Sequence, residues 1–173
     1  MEQTTQVRVC RELARWVAEL YRSARALESE LRPLVKARAK ALLALPGCGV
    51  LTAAKIIAEV GDVERFTSDA QLARYGGVAP LDASSGKQQR HRLNRTGNRQ
   101  LNFALHIIAI TQCRIHDPAR RYLARRSAEG KTTKEALRAL KRHLVRRVFR
   151  LLKTAQESGL PALPGAAPSK CLT

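Results

Sequence analysis

The sequence predicts an all-α protein. Apolar residues recur at spacings of three, four and seven through most of the chain, glycines and prolines punctuate the joins, and only residues 79–97 form a long polar stretch with little helical periodicity. With 173 residues, 45% of them apolar, the chain is long enough for one compact domain and an extension. The expected organisation is a helical extension over 1–41, a helical domain over 42–156 and a Gly- and Pro-rich, disordered tail over 157–173.

The first helix is expected from about Val7 to Leu45, carrying Leu13, Trp16, Leu20, Leu27, Leu31 and Leu34 as an apolar stripe between charged flanks. That stripe is either one strand of a two-stranded coiled coil, which would make the chain a homo-oligomer through this helix, or the face that packs on the domain. Pro33 removes a backbone donor inside it and predicts a kink or two consecutive helices. Pro46-Gly47-Cys48-Gly49 then separates two apolar-periodic segments and resembles the turn of a helix-hairpin-helix, in which Gly47 and Gly49 allow close approach to a phosphate backbone; a plain αα-hairpin uses the same residues. Gly61 is expected to cap the second helix, Ser68-Asp69 to open a short one, and Gly76-Gly77 to close it.

The polar stretch that follows is a long basic loop or a short hairpin. Asn98 to Arg114 reads as a helix apolar on nearly all sides, through Phe103, Leu105, Ile107, Ile108 and Ile110, and so as the central buried element, with His106 expected as a core histidine. Asp117-Pro118 supplies an N-cap and first-turn proline for a helix to about Ala128. Thr132 and Glu135 form a capping box for a last helix to about Ala155.

Charge separates the chain more sharply than hydropathy does. Residues 1–84 carry a net +2, residues 85–156 a net +16, and residues 157–173 balance to zero, for a total of +18. A folded segment of that charge density calls for a polyanion, because each neutralised phosphate releases condensed counterions. Nucleic acid is favoured over a membrane surface: aromatic residues make up 4% of the chain and no helix joins a basic face to an aromatic one. No apolar run approaches the roughly 18 residues of a membrane span. The N-terminal residues lack a secretory layout, so a cytoplasmic location is expected. Cys10, Cys48, Cys113 and Cys171 are scattered, which argues against a disulfide framework and a zinc site. Arg138, Arg142, Arg146 and Arg150 recur every four residues as either a solvated face or a phosphate track along the last helix, and with no acidic residue among them the track is favoured.

Leu45-Pro46-Gly47-Cys48-Gly49, Thr52-Ala53, Gly61-Asp62, Phe66, Leu72 to Pro80, Ser85-Gly86, Arg95-x-Gly97-Asn98-Arg99-x-Leu101, Gly130-Lys131 and a final basic helix follow one another in an order that resembles the C-terminal domain of the insertion-sequence one-ten transposase family, over about Leu42 to Lys153. The resemblance implies DNA transposition by a serine recombinase that a structured guide RNA directs. In that family an N-terminal RuvC-like domain binds Mg²⁺ through four acidic residues, and a coiled coil joins the two halves. Residues 1–41 contain glutamates but no aspartate and no strand pattern, so such a metal site is not expected here, and Mg²⁺ is expected only through the RuvC-like domain. The family's nucleophile falls on Ser85, with Ser84 as the neighbouring alternative. Asn102 stands where the family often has a basic residue, so one phosphate contact is expected to be weaker.

Attack by a serine hydroxyl on a phosphodiester needs an exposed nucleophile, a proton acceptor and cations around the phosphoryl oxygens. Lys87, Arg90, Arg92, Arg95 and Arg99 can provide the cations, Asn98 a further nucleic-acid contact, and His91 is a candidate base. Two readings follow: a serine-bearing half of a transposase that is inactive alone, or a non-catalytic nucleic-acid-binding fragment of a decayed or repurposed insertion sequence.

Overall fold

The computed structural model describes residues 4–82, 91–92, 94 and 96–157. Six α-helices account for most of them: α1 (Thr5–Leu43), α2 (Val50–Val60), α3 (Asp69–Tyr75), α4 (Arg99–Ile115), α5 (Asp117–Ala128) and α6 (Thr133–Glu157). A 3₁₀ turn, Val63–Arg65, joins α2 to α3. Two short strands, β1 (Leu81–Asp82) and β2 (His91–Arg92), pair antiparallel with Leu81 opposite Arg92 and Asp82 opposite His91, so the basic segment has a hairpin base.

The core is built around α4, which packs against α2, α5 and α6. Leu101, Ala104, Leu105, Ile108 and Ala109 of α4 are fully enclosed, as are Ile56 and Val60 of α2, Leu72 of α3, and Val145 and Val148 of α6. Apolar burial at about 25 cal/mol per Å² is the main favourable term here. The helix is less apolar all round than its sequence implies: Phe103, Ile110 and Ile115 face solvent, while Gln112 is buried and donates to the Pro46 carbonyl at 2.7 Å.

α1 enters this core only at its C-terminal end, through Val35, Ala39 and Leu42, with Leu31 packed at the edge. Leu13, Trp16, Leu20, Leu27 and Leu34 remain exposed, so most of the expected stripe packs on none of the described residues. The kink expected at Pro33 lies elsewhere. Pro33 continues the helix, and the non-helical residue is Ala39 (φ −158°, ψ 64°). Proline obstructs only the turn before it, and here that turn is exposed, where water can satisfy the freed carbonyl; the helix bends instead at the buried residue where it meets the domain.

Helix ends follow local chemistry closely. Ser68 Oγ accepts from the Gln71 N–H at 3.3 Å, and Asn98 Oδ1 from the Leu101 N–H at 2.8 Å. Thr132 and Glu135 close a reciprocal capping box, the Thr132 N–H donating to Glu135 Oε2 at 2.9 Å and the Glu135 N–H to Thr132 Oγ1 at 3.3 Å. At α5 the N-cap position is His116 rather than Asp117, which falls one residue inside the helix.

The tightest packing lies between two glycine turns. A Cβ on Gly97 would overlap the backbone N and Cα of Gly77, itself at φ 64°. Gly49, in contrast, has nothing within 4 Å of where a Cβ would stand. Gly97→Ala is therefore expected to lose more than about 2 kcal/mol of stability in chemical denaturation, and Gly49→Ala less than about 0.5 kcal/mol. Equal effects at the two positions would contradict the packing described.

Candidate nucleic-acid interface

The N-terminus of α4 gathers most of the polar architecture. Asn98 caps the helix with Oδ1, and its amide donates to Glu59 Oε2 at 2.7 Å and to the Tyr75 hydroxyl at 3.0 Å. Its backbone N–H donates to the Tyr75 carbonyl at 2.6 Å. Asn98, expected as a nucleic-acid contact, is engaged within the fold. Both ends of its side-chain amide are committed inside the fold, where they lock α4 to α2 and α3.

Asn102, one turn on, works in the same way. Its Nδ2 donates to the Gly76 carbonyl at 2.8 Å and the Gly77 carbonyl at 3.2 Å, while Oδ1 accepts from Lys141 Nζ of α6 at 2.8 Å. The residue expected to cost a phosphate contact is instead a bridge between the Gly-Gly turn and a buried lysine. Asn94 adds an Asx turn, accepting from Thr96 N–H at 3.0 Å and Thr96 Oγ1 at 2.7 Å.

Beside this network lies an open cavity of about 590 Å³, lined by Asn94, Gly97, Arg99, Asn102, Phe103, His106 and Lys141. Lys141 is only 7% exposed. Burial, and then the charge of Arg138, push its ammonium below the ordinary lysine range. His106 is half-buried and faces the cavity rather than sitting satisfied in the core; burial, and then Lys141, hold it below the usual histidine range. Sequence reasoning missed Lys141, since a lysine in a basic helix looks solvated until the helix's inner face is known.

The turn between α1 and α2 divides the two glycines. Gly47 adopts φ 81°, and a Cβ there would meet the Ile108 carbonyl oxygen and Thr111 Cβ at 3.0 Å, so this side of the turn packs against α4. Gly49 is exposed at the N-cap of α2 and keeps the access expected of it. Cys48 between them is buried, which pushes its thiol up to about 11 and makes it inert.

Of the arginine row on α6, two members have partners that the sequence pattern concealed. Asp69 of α3 lies 3.0 Å from Arg146 Nε and 3.6 Å from Arg142 Nη1, and Arg142 also donates to the Asp69 carbonyl at 3.3 Å. The absence of local acids was the ground for an uninterrupted phosphate track; the acid comes from another helix. Arg150 is exposed and Arg138 half-buried on the same helix. Arg99 is exposed at the cavity rim. The ladder sets the Arg92 backbone at the hairpin base. Ser84, Ser85, Lys87, Arg90 and Arg95 lie outside the described residues, as do the tail from Ser158 onward and Cys171 within it.

Among the described residues no group of three or more His, Cys, Asp or Glu side chains is placed to hold a metal ion. Among the described residues no helix is long and apolar enough to cross a membrane.

The family model described as transposase IS116/IS110/IS902 matches residues 39–124. An insertion element IS110 protein of 43.6 kDa from Streptomyces coelicolor is 38% identical over 156 residues, covering 87% of this chain and 38% of that protein. An insertion element IS116 protein of 44.8 kDa from Streptomyces clavuligerus is 30% identical over 118 residues, 67% of this chain and 29% of the relative. The transposase of insertion sequence IS1111A from Coxiella burnetii is 36% identical over 64 residues, 36% of this chain and 18% of its own. The chain thus spans well under half the length of these relatives.

Two outcomes check this geometry. Because His106 binds its proton more weakly folded than unfolded, the unfolded state takes up more protons as pH falls below about 6.5, and stability drops with it. The fall in Tm between about pH 7.5 and pH 5.5 should shrink in His106→Gln, and an unchanged fall would contradict the assignment. A double-mutant cycle of Asp69→Asn with Arg146→Ala should return a coupling below about 1 kcal/mol, as for a half-exposed pair.

Proposed function

Because the chain belongs to the transposase IS116/IS110/IS902 family, we propose that it is the strand-handling part of a DNA transposase, with Ser85 as nucleophile. The observation that carries this reading is the joint between the basic segment and α4. The β1/β2 pairing brings Asp82 and His91 together, and the Gly77/Gly97 contact holds the far end of the segment against the α4 N-terminus. A flexible stretch of cations would neutralise phosphates without such a base. A hairpin base fixed at both ends supports a segment that delivers a side chain to one place.

In the proposed step, Ser85 Oγ attacks a strand phosphorus. The Oγ–P bond forms as the bond from phosphorus to one strand oxygen breaks, the serine proton passes to a base, and the departing strand oxygen is protonated. A phosphoserine ester conserves the phosphodiester for rejoining, so no nucleotide hydrolysis is needed. Lys87, Arg90, Arg92, Arg95 and Arg99 are the proposed cations around the phosphoryl oxygens, and His91 is the candidate base. Gly49, Arg138, Arg142 and Arg146 are proposed as further backbone contacts, the last two only when the strand competes with Asp69. A structured guide RNA is a proposed partner on the strength of the family resemblance.

α1 is proposed as the self-association element of this assembly. Leu13, Leu20, Leu27 and Leu34 repeat every seven residues and are each at least half exposed, as are Trp16, Val17 and Tyr21 beside them, whereas Leu31 and Val35 pack on the domain. Such a spacing matches the seam of a two-stranded coiled coil.

Mixing the chain with target DNA and the remaining region of a full-length relative should trap a covalent protein–DNA adduct that disappears in Ser85→Ala and survives Ser84→Ala. DNA binding with no adduct under any partner condition would contradict the catalytic reading and favour the binding-only fragment. In sedimentation, the chain should run as a dimer and Leu20→Glu with Leu27→Glu as a monomer. A monomeric parent would remove the coiled-coil proposal.

A further inference from the structure

The cavity beside α4 contains a positive charge without a matching negative one. Lys141 is nearly sealed from water, yet among the described residues its ammonium has a single hydrogen-bond partner, the neutral amide oxygen of Asn102. A lysine has three donors, and an unneutralised buried cation is costly unless an anion or polar acceptors complete it. Asn102 cannot do more: its two ends are taken by Lys141 and by the Gly76 and Gly77 carbonyls.

The remaining lining points the same way. Arg99 stands at the rim, His106 adds a ring on the same face of α4 one turn and more along, and Gly97 leaves the wall without a side chain. Among the described residues no aspartate or glutamate lines the cavity. Exposed Phe103 forms an apolar edge, with Lys55 Nζ 5.2 Å from its ring centre. A cationic pocket beside an exposed aromatic ring is the pairing that holds a phosphate and an unstacked base together.

We propose that this cavity is an oxyanion site that takes a phosphate group of a single nucleic-acid strand, with Lys141, His106 and Arg99 as its donors and Phe103 as the wall against which the adjoining nucleoside rests. The inference rests on the functional reading above and adds to it a defined phosphate subsite lined by Asn94, Gly97 and residues of α4 and α6. Lys141 supplies the buried charge, Arg99 the exposed one that draws the strand in, and Asn102 positions the ammonium without touching the ligand.

The full chain is titrated with inorganic phosphate and, separately, with a short single-stranded oligothymidylate, following the His106 ring resonance, which His106→Gln identifies. Both should move it, the oligothymidylate at a concentration lower by about tenfold or more. Lys141→Met and Arg99→Ala should each weaken the response by about fivefold or more, while Arg121→Ala on exposed α5 surface should leave it unchanged. Arg99 is exposed, so its variant tests the site even if Lys141→Met fails to fold. A His106 resonance unmoved by either probe, or moved equally in both variants, overturns the site. Phosphate acting at the same or lower concentration than the oligothymidylate overturns the strand as its ligand. Duplex binding that persists beside a silent His106 overturns the pocket and leaves the functional reading standing. A response to phosphate in a chain that binds no DNA overturns that reading and the strand source together.

Discussion

The arrangement depends on the backbone contact between Gly77 and Gly97, where two turns press together more closely than any side chain would allow. One turn ends α3 and the other precedes α4, so the contact draws together the two ends of the basic segment between them. Hydrogen bonds from Asn98 and Asn102 then fasten the crossing to Glu59, Tyr75 and the Gly76 and Gly77 carbonyls. Each such bond contributes only about 1 kcal/mol net, but leaving any of these buried partners unsatisfied would cost more. The glycines set the distance, and the asparagines keep it.

Charge is organised around the same joint. The first half of the chain is nearly neutral and supplies the scaffold; the strongly basic part begins where the segment leaves β1. Within that part the cations are not equivalent. Arg142 and Arg146 are held by Asp69, Lys141 is sunk behind Asn102, and Arg99 and Arg150 are open to solvent. A partner strand would meet exposed cations first and reach the enclosed ammonium only by placing a phosphate in the cavity.

Much of the fold was legible because it rests on local rules. The cap at Ser68, the capping box of Thr132 and Glu135, and the terminating Gly61 each act within a few residues of their own position. What could not be read depends on contacts far along the chain. Asp69 lies more than 70 residues from the arginines it pairs with, Gln112 reaches back to Pro46, and the bend at Ala39 follows from burial rather than from Pro33. The same limit applied to the interface. Asn98 and Gly47 belong to motifs that invite a ligand reading and also make packing contacts on or against α4 that the motifs do not show, whereas Lys141 carries no motif and emerges only when α4 and α6 are brought together.

In the proposed function, the basic segment and the helices behind it form a phosphate-binding face and the α1 extension serves assembly. The salt dependence of DNA affinity tests it most directly. Each phosphate neutralised contributes a slope of about −0.9 in a plot of log K against log salt, so several contacts predict a slope on the order of −4 or steeper. That slope should become shallower when exposed arginines of α6 or Arg99 are replaced, and should be unmoved by replacing Arg11, Arg15 and Arg22 of α1. A slope near zero, or one equally sensitive to the α1 arginines, would contradict the account.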